Sequence, residues 1–411
     1  MDLKRSRIDD LIRRQENLPE VTRTEIEAVQ LDKLNRVLAR EKDRGGFYRG
    51  LPAHLDALSQ LSELPFTTDE DLAHHASGLL LTSQGDIQRV LSDATSGTTG
   101  AAKRVFYTEG DCENTVQLFA AGLGELIFPG SVTLLCFPFS GPYGLGELIS
   151  EAVERLGARP LKAGPFLSYG EYGEILEREK PDTFVGMPIP LLSLLRVCGR
   201  GSLRRALVSG DACPDTVLNA CEELLGSRLF PHYGSREMGL GGAITCSAHA
   251  GMHLRENHVI AEIIDGEGNV LPAGEVGELV ITTIGMEAMP LIRYRTGDYT
   301  RILPDPCPCG SEVIRLDTLQ RRETQSIADL DETLFSLEGL IDYCAEQKGN
   351  QLFLEALTLG ELPAEMIRQK AVSCFPDRKI TAVCRPVSTG DTSLCRGKRS
   401  ILMKETNPFR P

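Results

Sequence analysis

Asp93-Ala94-Thr95-Ser96-Gly97-Thr98-Thr99-Gly100-Ala101-Ala102-Lys103-Arg104 carries no bulky apolar side chain. Its hydroxyls, two glycines and lysine follow directly on the apolar pair Val90-Leu91. A loop that holds polyphosphate needs backbone N–H groups free to converge on an anion, hence glycines, together with hydroxyls and a cation. The stretch offers all three. It is not a Walker loop, which sets about four residues between its first glycine and its Gly-Lys. Here only Thr98 and Thr99 separate Gly97 from Gly100. Composition alone leaves a flexible polar turn as the competing reading, so the rest of the chain has to decide.

The chain has 411 residues, more than one core normally organises, which predicts roughly two or three domains. At 41% hydrophobic and 25% charged, with no tryptophan, it has the composition of a soluble globular protein. A net charge of -14 with no basic block argues against a nucleic-acid partner. The segment 1–19 is charged throughout and lacks the apolar core of a signal peptide. Its most apolar region, Ala120 to Phe139, is broken by Glu125 and Pro129, so no membrane span is expected. Twelve cysteines without a secretion signal fit a reducing compartment, the cytoplasm, as free thiols or metal ligands.

Local patterns order the chain. Residues 24–42 predict an amphipathic helix, with Thr24 and Glu27 as a capping box and Ile26, Val29, Leu34, Val37 and Leu38 at helical spacing. Thr68 with Asp71 marks another helix start. From about residue 88, short apolar runs alternate with helical segments, the texture of an α/β fold. Val132–Phe137, Phe184–Met187 and Arg205–Ser209 read as strands, and Gly146–Leu156 as a helix. Val259–Ile264 and Gly277–Thr283 then predict an antiparallel pair. The organisation expected is a large α/β body over 1–319, including a β segment over about 243–319, and a small α+β lid over 320–411.

Thr95-Ser-Gly-Thr-Thr-Gly-x-x-Lys103 resembles the signature loop of the adenylate-forming superfamily, the acyl-CoA synthetases and their relatives. Two further stretches follow in the right order. Tyr233-Gly-Ser-Arg-Glu237 is similar to the superfamily's Tyr-Gly-x-Thr-Glu, and Tyr294-Arg-Thr-Gly-Asp298 to its Tyr-x-Thr-Gly-Asp. Within the superfamily the resemblance is strongest to the phenylacetate–CoA ligase branch. Phe47-Tyr48-Arg49, Leu64-Pro-Phe-Thr-Thr-Asp-Glu-Asp-Leu72, Gly251-Met-His253, Glu256-Asn-His258 and Cys307-Pro-Cys-Gly310 are similar to that branch. The likeness is dense over residues 30–320 and thin beyond.

What the resemblance implies is an adenylate-forming fold and a two-step reaction. A carboxylic acid attacks the α-phosphate of ATP, pyrophosphate leaves, and the acyl-adenylate passes its acyl group to coenzyme A. Two anions must meet, so neutralisation and alignment carry the catalysis. By the matched positions, Thr95, Ser96, Gly97, Thr98, Thr99, Gly100 and Lys103 would handle the departing phosphates. Glu237 would hold Mg²⁺, a hard cation suited to carboxylate and phosphate oxygens. Asp298 would take the ribose hydroxyls of ATP/AMP. Ser209-Gly210-Asp211 matches a turn along the adenine, against which Tyr233, next to Gly234, would stack. The chain departs from the pattern at Arg236, where the family has Thr or Ser. Arginine there is expected to reach a phosphate or the substrate carboxylate bidentately. The hinge motif aligns with Gln320-Arg321-Arg322-Glu323, keeping Arg321 but losing its glycine and acidic pair. Leu394-Cys-Arg-Gly-Lys-Arg399 resembles a shortened terminal Gly-Lys motif, which makes Lys398 the expected adenylation lysine.

Cys307 and Cys309, with Cys246 and His253 upstream, make a tetrahedral set of the closed kind that holds structural Zn²⁺. His249 is the alternative fourth ligand, while His258 reads as packing or substrate-facing. By resemblance Tyr143 and Gly144 lie beside the acyl group, with Met187, Pro188 and His232 as further wall, a slot suited to an aromatic or other compact acid. The expected partners are therefore that acid and CoA, with homodimerisation left open and no nucleic acid or membrane. The altered hinge keeps two rivals in view: transfer of the acyl group to an amine or carrier protein, and a non-catalytic nucleotide-binding homologue.

Overall fold

The helix expected over 24–42 runs Arg23–Arg44 in the computed structural model, which describes residues 5–93, 103–321, 325–394 and 398–403. Its cap is not Thr24. Thr22 accepts from the Glu25 N–H, and the Glu25 carboxylate accepts from the Thr22 N–H at 3.2 Å. Two Thr-x-x-Glu pairs compete here. Capping at Thr22 puts Val21 and Ile26, both buried, in the positions of a hydrophobic staple, which the Thr24–Glu27 register would forfeit. Gly45, at φ 64°, closes the helix in the left-handed conformation that glycine reaches without strain. Thr68 and Asp71 do form the expected capping box, on the helix Asp69–His74.

The chain divides into two units, one of 1–127, 140–156 and 230–319, the other of 128–139, 157–229 and 320–411. In the first, Ile87–Asp93 and Lys103–Thr108 form an antiparallel hairpin whose last pair is Asp93 with Lys103. Thr95, Ser96, Gly97, Thr98, Thr99 and Gly100 of the signature loop lie outside the described residues. A run of short antiparallel strands follows the order Arg315–Leu316, Met252–Leu254, Ala243–Thr245 and Phe230–Tyr233. Beside it, Val259–Ile264, Gly277–Thr283 and Tyr294–Thr300 make the expected antiparallel β segment.

The second unit contains parallel strands in the order Arg205–Val208, Thr183–Gly186, Val132–Leu135 and Arg159–Lys162. The first three are buried almost throughout, the signature of a sheet covered on both faces, while Arg159–Lys162 is the partly exposed edge. The helices Tyr169–Glu179, Pro188–Cys198 and Asp215–Leu225 connect and follow them. The C-terminal part adds a sheet ordered Lys379–Pro386, Gln351–Thr358, Leu340–Lys348 and Ile401–Met403. Helices Gln325–Leu334 and Ala364–Cys374 accompany it. Residues 325–403 do not keep a core to themselves: Leu330, Leu354 and Ile367 belong to the same buried cluster as Leu134, Phe184 and Leu192. The chain passes from one unit to the other at Leu319/Gln320, where the sequence places the start of the lid. Among the described residues no helix is long and apolar enough to cross a membrane.

Candidate active site

Lys103 opens its strand, and Glu237 sits in the single helical turn Arg236–Met238 that follows the strand Phe230–Tyr233. That turn is forced by glycines at either side. A Cβ on Gly234 would lie 2.4 Å from the Leu240 carbonyl oxygen, and Gly239 has φ 79°. The helix Glu109–Leu123 pins it further, because Thr115 donates to the Gly239 carbonyl at 2.7 Å. The result brings Lys103 Nζ within 2.6 Å of Glu237 Oε1, with both side chains mostly buried.

The pair is one half of a four-residue cluster. Lys103 also reaches Asp69 at 3.0 Å and the Tyr294 hydroxyl at 3.1 Å, and Tyr294 donates to Asp69. Burial alone would push Lys103 down, but the charges of Glu237 and then Asp69 outweigh it and hold the ammonium above its ordinary value. Burial would likewise raise Glu237, yet Lys103 keeps its carboxyl below the usual range. Both partners are therefore charged near neutrality, which is what a phosphate-binding cation and a metal-binding carboxylate require. Asp69 stands in the quoted 64–72 stretch without having been assigned a role. As an acid in the first turn of a capped helix it reads as a cap companion, and only the fold brings it to Lys103.

Asp298, buried in the strand Tyr294–Thr300, accepts from the Tyr233 hydroxyl at 2.7 Å. Burial raises the Tyr294 phenol, and the charges of Glu237 and Asp69 and the hydrogen bond to Asp69 add to it. Arg236 presents its backbone carbonyl to the Tyr107 hydroxyl at 2.5 Å, with its side chain half-buried. Tyr143 follows a glycine turn at φ 63°, and its carbonyl accepts from Arg89. Gly144 caps the helix Leu145–Arg155, where a Cβ would meet the Gly141 carbonyl at 2.9 Å. His232 packs on Phe119 with ring centroids 4.9 Å apart, and burial pushes its imidazole down to about 4. It is a neutral, packed ring.

Met187 and Pro188 belong to the other unit, as do Ser209, Gly210 and Asp211. Gly210 needs its φ of 88°, and a Cβ there would stand 3.2 Å from the Phe137 ring. Asp211 accepts from the Ala212 N–H at 2.9 Å and from the Arg399 N–H at 2.8 Å. Met187, Pro188, Asp211, Ser393 and Arg399 line one small cleft of this unit. Lys398 is exposed and lies within electrostatic reach of Asp211. Arg321 ends the short strand Gln320–Arg321, while Arg322 and Glu323 lie outside the described residues.

The Cys/His set assembles as the sequence predicts. The ligand atoms of Cys246, His253, Cys307 and Cys309 all lie within 4.8 Å of one another, and all four residues are buried. Cys246 Sγ and Cys307 Sγ are 3.8 Å apart, and Cys309 Sγ is 3.6 Å from His253 Nε2. A tetrahedron with Zn–S bonds of about 2.3 Å has edges of about 3.8 Å, whereas a disulfide needs about 2.05 Å. Hydrogen bonds from Cys246 and then His253 outweigh burial and hold the Cys309 thiol well below the usual thiol range. His253 lies in the strand Met252–Leu254 opposite Arg315, which fixes it against the Cys307–Cys309 turn. His249 instead stacks on Phe230 at 4.5 Å, and His258 is buried outside the set. Asp9 was not foreseen here. Its buried carboxyl accepts from Ser311 at 2.5 Å within electrostatic reach of His253 and Cys309.

Residues 94–288, beginning at the opening stretch, match the family described as AMP-binding enzyme. A phenylacetate–coenzyme A ligase of Thermus thermophilus is 29% identical over 327 residues, covering 75% of this chain and 73% of that protein. One from Aromatoleum evansii is 30% identical over 316 residues, covering 70% and 69%. The crystal structure of a 2-hydroxyisobutyryl-CoA ligase in the postadenylation state has a TM-score of 0.76 at 18% identity, over 94% of this chain and 91% of that one.

Proposed function

The chain belongs to the phenylacetate–CoA ligase family of AMP-binding enzymes, and from that premise we propose how its residues divide the work of an AMP-forming acid–CoA ligase. Its fold is that of adenylate-forming enzymes. The enzyme activates a carboxylic acid with ATP and passes the acyl group to CoA. In the first step a carboxylate oxygen bonds to the α-phosphorus, the bond to the β-phosphate breaks, and pyrophosphate leaves. In the second the CoA sulfur attacks the acyl carbonyl and AMP leaves.

The carrying observation is the buried Lys103–Glu237 pair at 2.6 Å, with Lys103 also reaching Tyr294, which opens the strand that carries Asp298. We assign Lys103 to the departing phosphates, with the Thr95–Gly100 loop. Asp298 takes the ribose hydroxyls, exchanging its bond from Tyr233 for theirs. Glu237, ionised and buried, suits a hard cation, and bound Mg²⁺ would neutralise phosphate charge there. Arg236, beside Glu237, reaches either the phosphate or the substrate carboxylate. We assign Tyr143, Gly144 and His232 to the acyl side of an aromatic or compact acid, and by family resemblance Met187 and Pro188, in the other unit, to the same role. We take residues 320–411 as the lid that brings Lys398 to the adenylation step, and the unit change at Leu319/Gln320 supports that boundary. The Cys246, His253, Cys307 and Cys309 set is a structural zinc site, its spacing and thiolate character matching a closed tetrahedral centre. The free thiols among the described cysteines fit a cytoplasmic enzyme.

Acid-dependent ATP–pyrophosphate exchange over a panel of carboxylic acids, followed by product mass with and without CoA, tests the assignment. Exchange with compact aryl acids and a CoA adduct are expected. Exchange confined to long-chain acids would remove the slot reading.

A further inference from the structure

Arg399 is next in the chain to Lys398, yet the two side chains behave oppositely. Lys398 is exposed, while the Arg399 guanidinium is buried against two carboxylates, Asp331 at 2.7 Å and Asp342 at 3.2 Å. It also stacks over the Tyr343 ring, 4.4 Å from its centroid. Asp331, on the helix Gln325–Leu334, accepts in addition from the Tyr343 hydroxyl at 2.6 Å. Asp342, on the strand Leu340–Lys348, accepts from Ser393 at 2.8 Å and from the Leu394 N–H at 2.7 Å. The side chain is thus held from two elements, and Asp342 ties down the chain at Ser393–Leu394 as well.

The backbone of Arg399 makes the connection that matters for the reaction. Its N–H donates to Asp211, the last residue of the Ser209-Gly210-Asp211 turn, at 2.8 Å. Burial raises the Asp211 carboxyl, and the Arg399 hydrogen bond and the charges of Arg399 and Lys398 oppose that rise. A lysine has many rotamers and reaches its target on a flexible stem. Fixing the adjoining Cα by a buried ion-pair network restricts the sweep of that stem without immobilising the ammonium. Such a network is strongly destabilised when one partner is removed, so it defines one position for the tail and disfavours neighbouring ones.

We propose that Arg399 is the positioning residue for Lys398: clamped by Asp331 and Asp342, it seats its own N–H on Asp211 and so holds the lysine beside the nucleotide-side turn. The proposal rests on the reading of Lys398 as the adenylation lysine and adds the means by which it is placed. Arg399 itself touches no substrate.

The test uses the full-length enzyme and the acid that gives the strongest pyrophosphate exchange, phenylacetate being tried first. Arg399→Met is expected to lower the kcat of exchange about 100-fold, the cost of displacing a reacting group by about 1 Å. The KM for ATP should stay within about twofold, and thioester formation from supplied acyl-adenylate and CoA within about threefold. Arg399→Lys should recover part of the loss. Asp331→Asn, which keeps shape and one acceptor, should cost exchange about tenfold and decides the matter if Arg399→Met does not fold. Undiminished exchange in the Arg399 or Asp331 variant, with Lys398→Ala inactive in exchange, overturns the positioning role. Equal loss of both half-reactions together with the melting temperature reduces Arg399 to a structural staple and also overturns it. Undiminished exchange in Lys398→Ala instead removes the underlying reading of the lysine.

Discussion

Removal of the zinc proposed for the Cys246, His253, Cys307 and Cys309 set is the perturbation whose size can be worked most directly. The two measured separations, 3.8 and 3.6 Å, already equal tetrahedral edges, so these ligand pairs need almost no contraction to close on an ion. Cys309 is held toward thiolate while the Cys246 thiol and the His253 imidazole are raised, so binding near neutrality releases protons from those two ligands and tightens as pH rises. Binding to the folded state alone at free zinc about a thousandfold above Kd is worth about 4 kcal/mol. For a unit of this size about 2–4 °C accompanies each kcal/mol, which predicts a fall of about 8–16 °C in the midpoint of the unit that holds the ligands. The assay is zinc content per chain after chelator-free purification, thermal unfolding before and after a strong chelator, and the charge-transfer absorption of a cobalt-substituted sample. Cys309→Ser should reproduce most of the shift without chelator. Less than ~0.3 zinc per chain, an unmoved midpoint and no cobalt–thiolate band would refute the reasoning, because a prearranged closed site of this geometry binds far too tightly to purify empty.

Glu237→Gln leaves Lys103 with Asp69 as its acidic partner and should cost about 1.5–3 kcal/mol, the worth of a hydrogen bond to a charged group, along with most pyrophosphate exchange; denaturant unfolding and exchange kinetics check both. Since the Glu237 carboxyl is depressed in the folded state, its stabilisation is full above the ordinary value of 4.5 and is lost as pH falls through its lower folded value. The raised Lys103 contributes fully below its ordinary 10.5 and loses that contribution as pH rises past its higher folded value. A pH–stability curve of Glu237→Gln should therefore lose this carboxylate's share of the acid limb. Arg236→Ala should reduce kcat/KM for exchange about 10–100-fold if the guanidinium meets a phosphate or carboxylate; unimpaired exchange removes that role. Gly234→Ala forces a methyl against the Leu240 carbonyl and should destabilise by about 1–3 kcal/mol, read from the shift in denaturant midpoint.

What was legible in the chain follows a physical division. The antiparallel pair Val259–Ile264 with Gly277–Thr283 and the Thr68–Asp71 cap are local, and short-range chemistry specifies each. The three ordered motifs brought Lys103 to Glu237 and Tyr233 to Asp298 because their order already encodes a fold. The Thr24 cap failed for a reason the sequence does hold: two equivalent pairs compete, and the buried Val21–Ile26 staple decides between them. Asp69, Asp9 and the Arg399 network were missed because their partners are remote in sequence. Asp211, Asp331 and Asp342 have no mutual spacing that marks them as a set, and Arg399 in a basic tail reads as solvated. They converge because Ile401 pairs in parallel with Ala345, which draws the tail back along the strand that carries Asp342. If Lys398 is the adenylation lysine, as proposed, the same pairing accounts for a Gly-Lys motif in shortened form. A tail tied to the sheet by strand pairing and to Asp331 by an ion pair has little freedom left to lose, so fewer residues suffice to present Lys398.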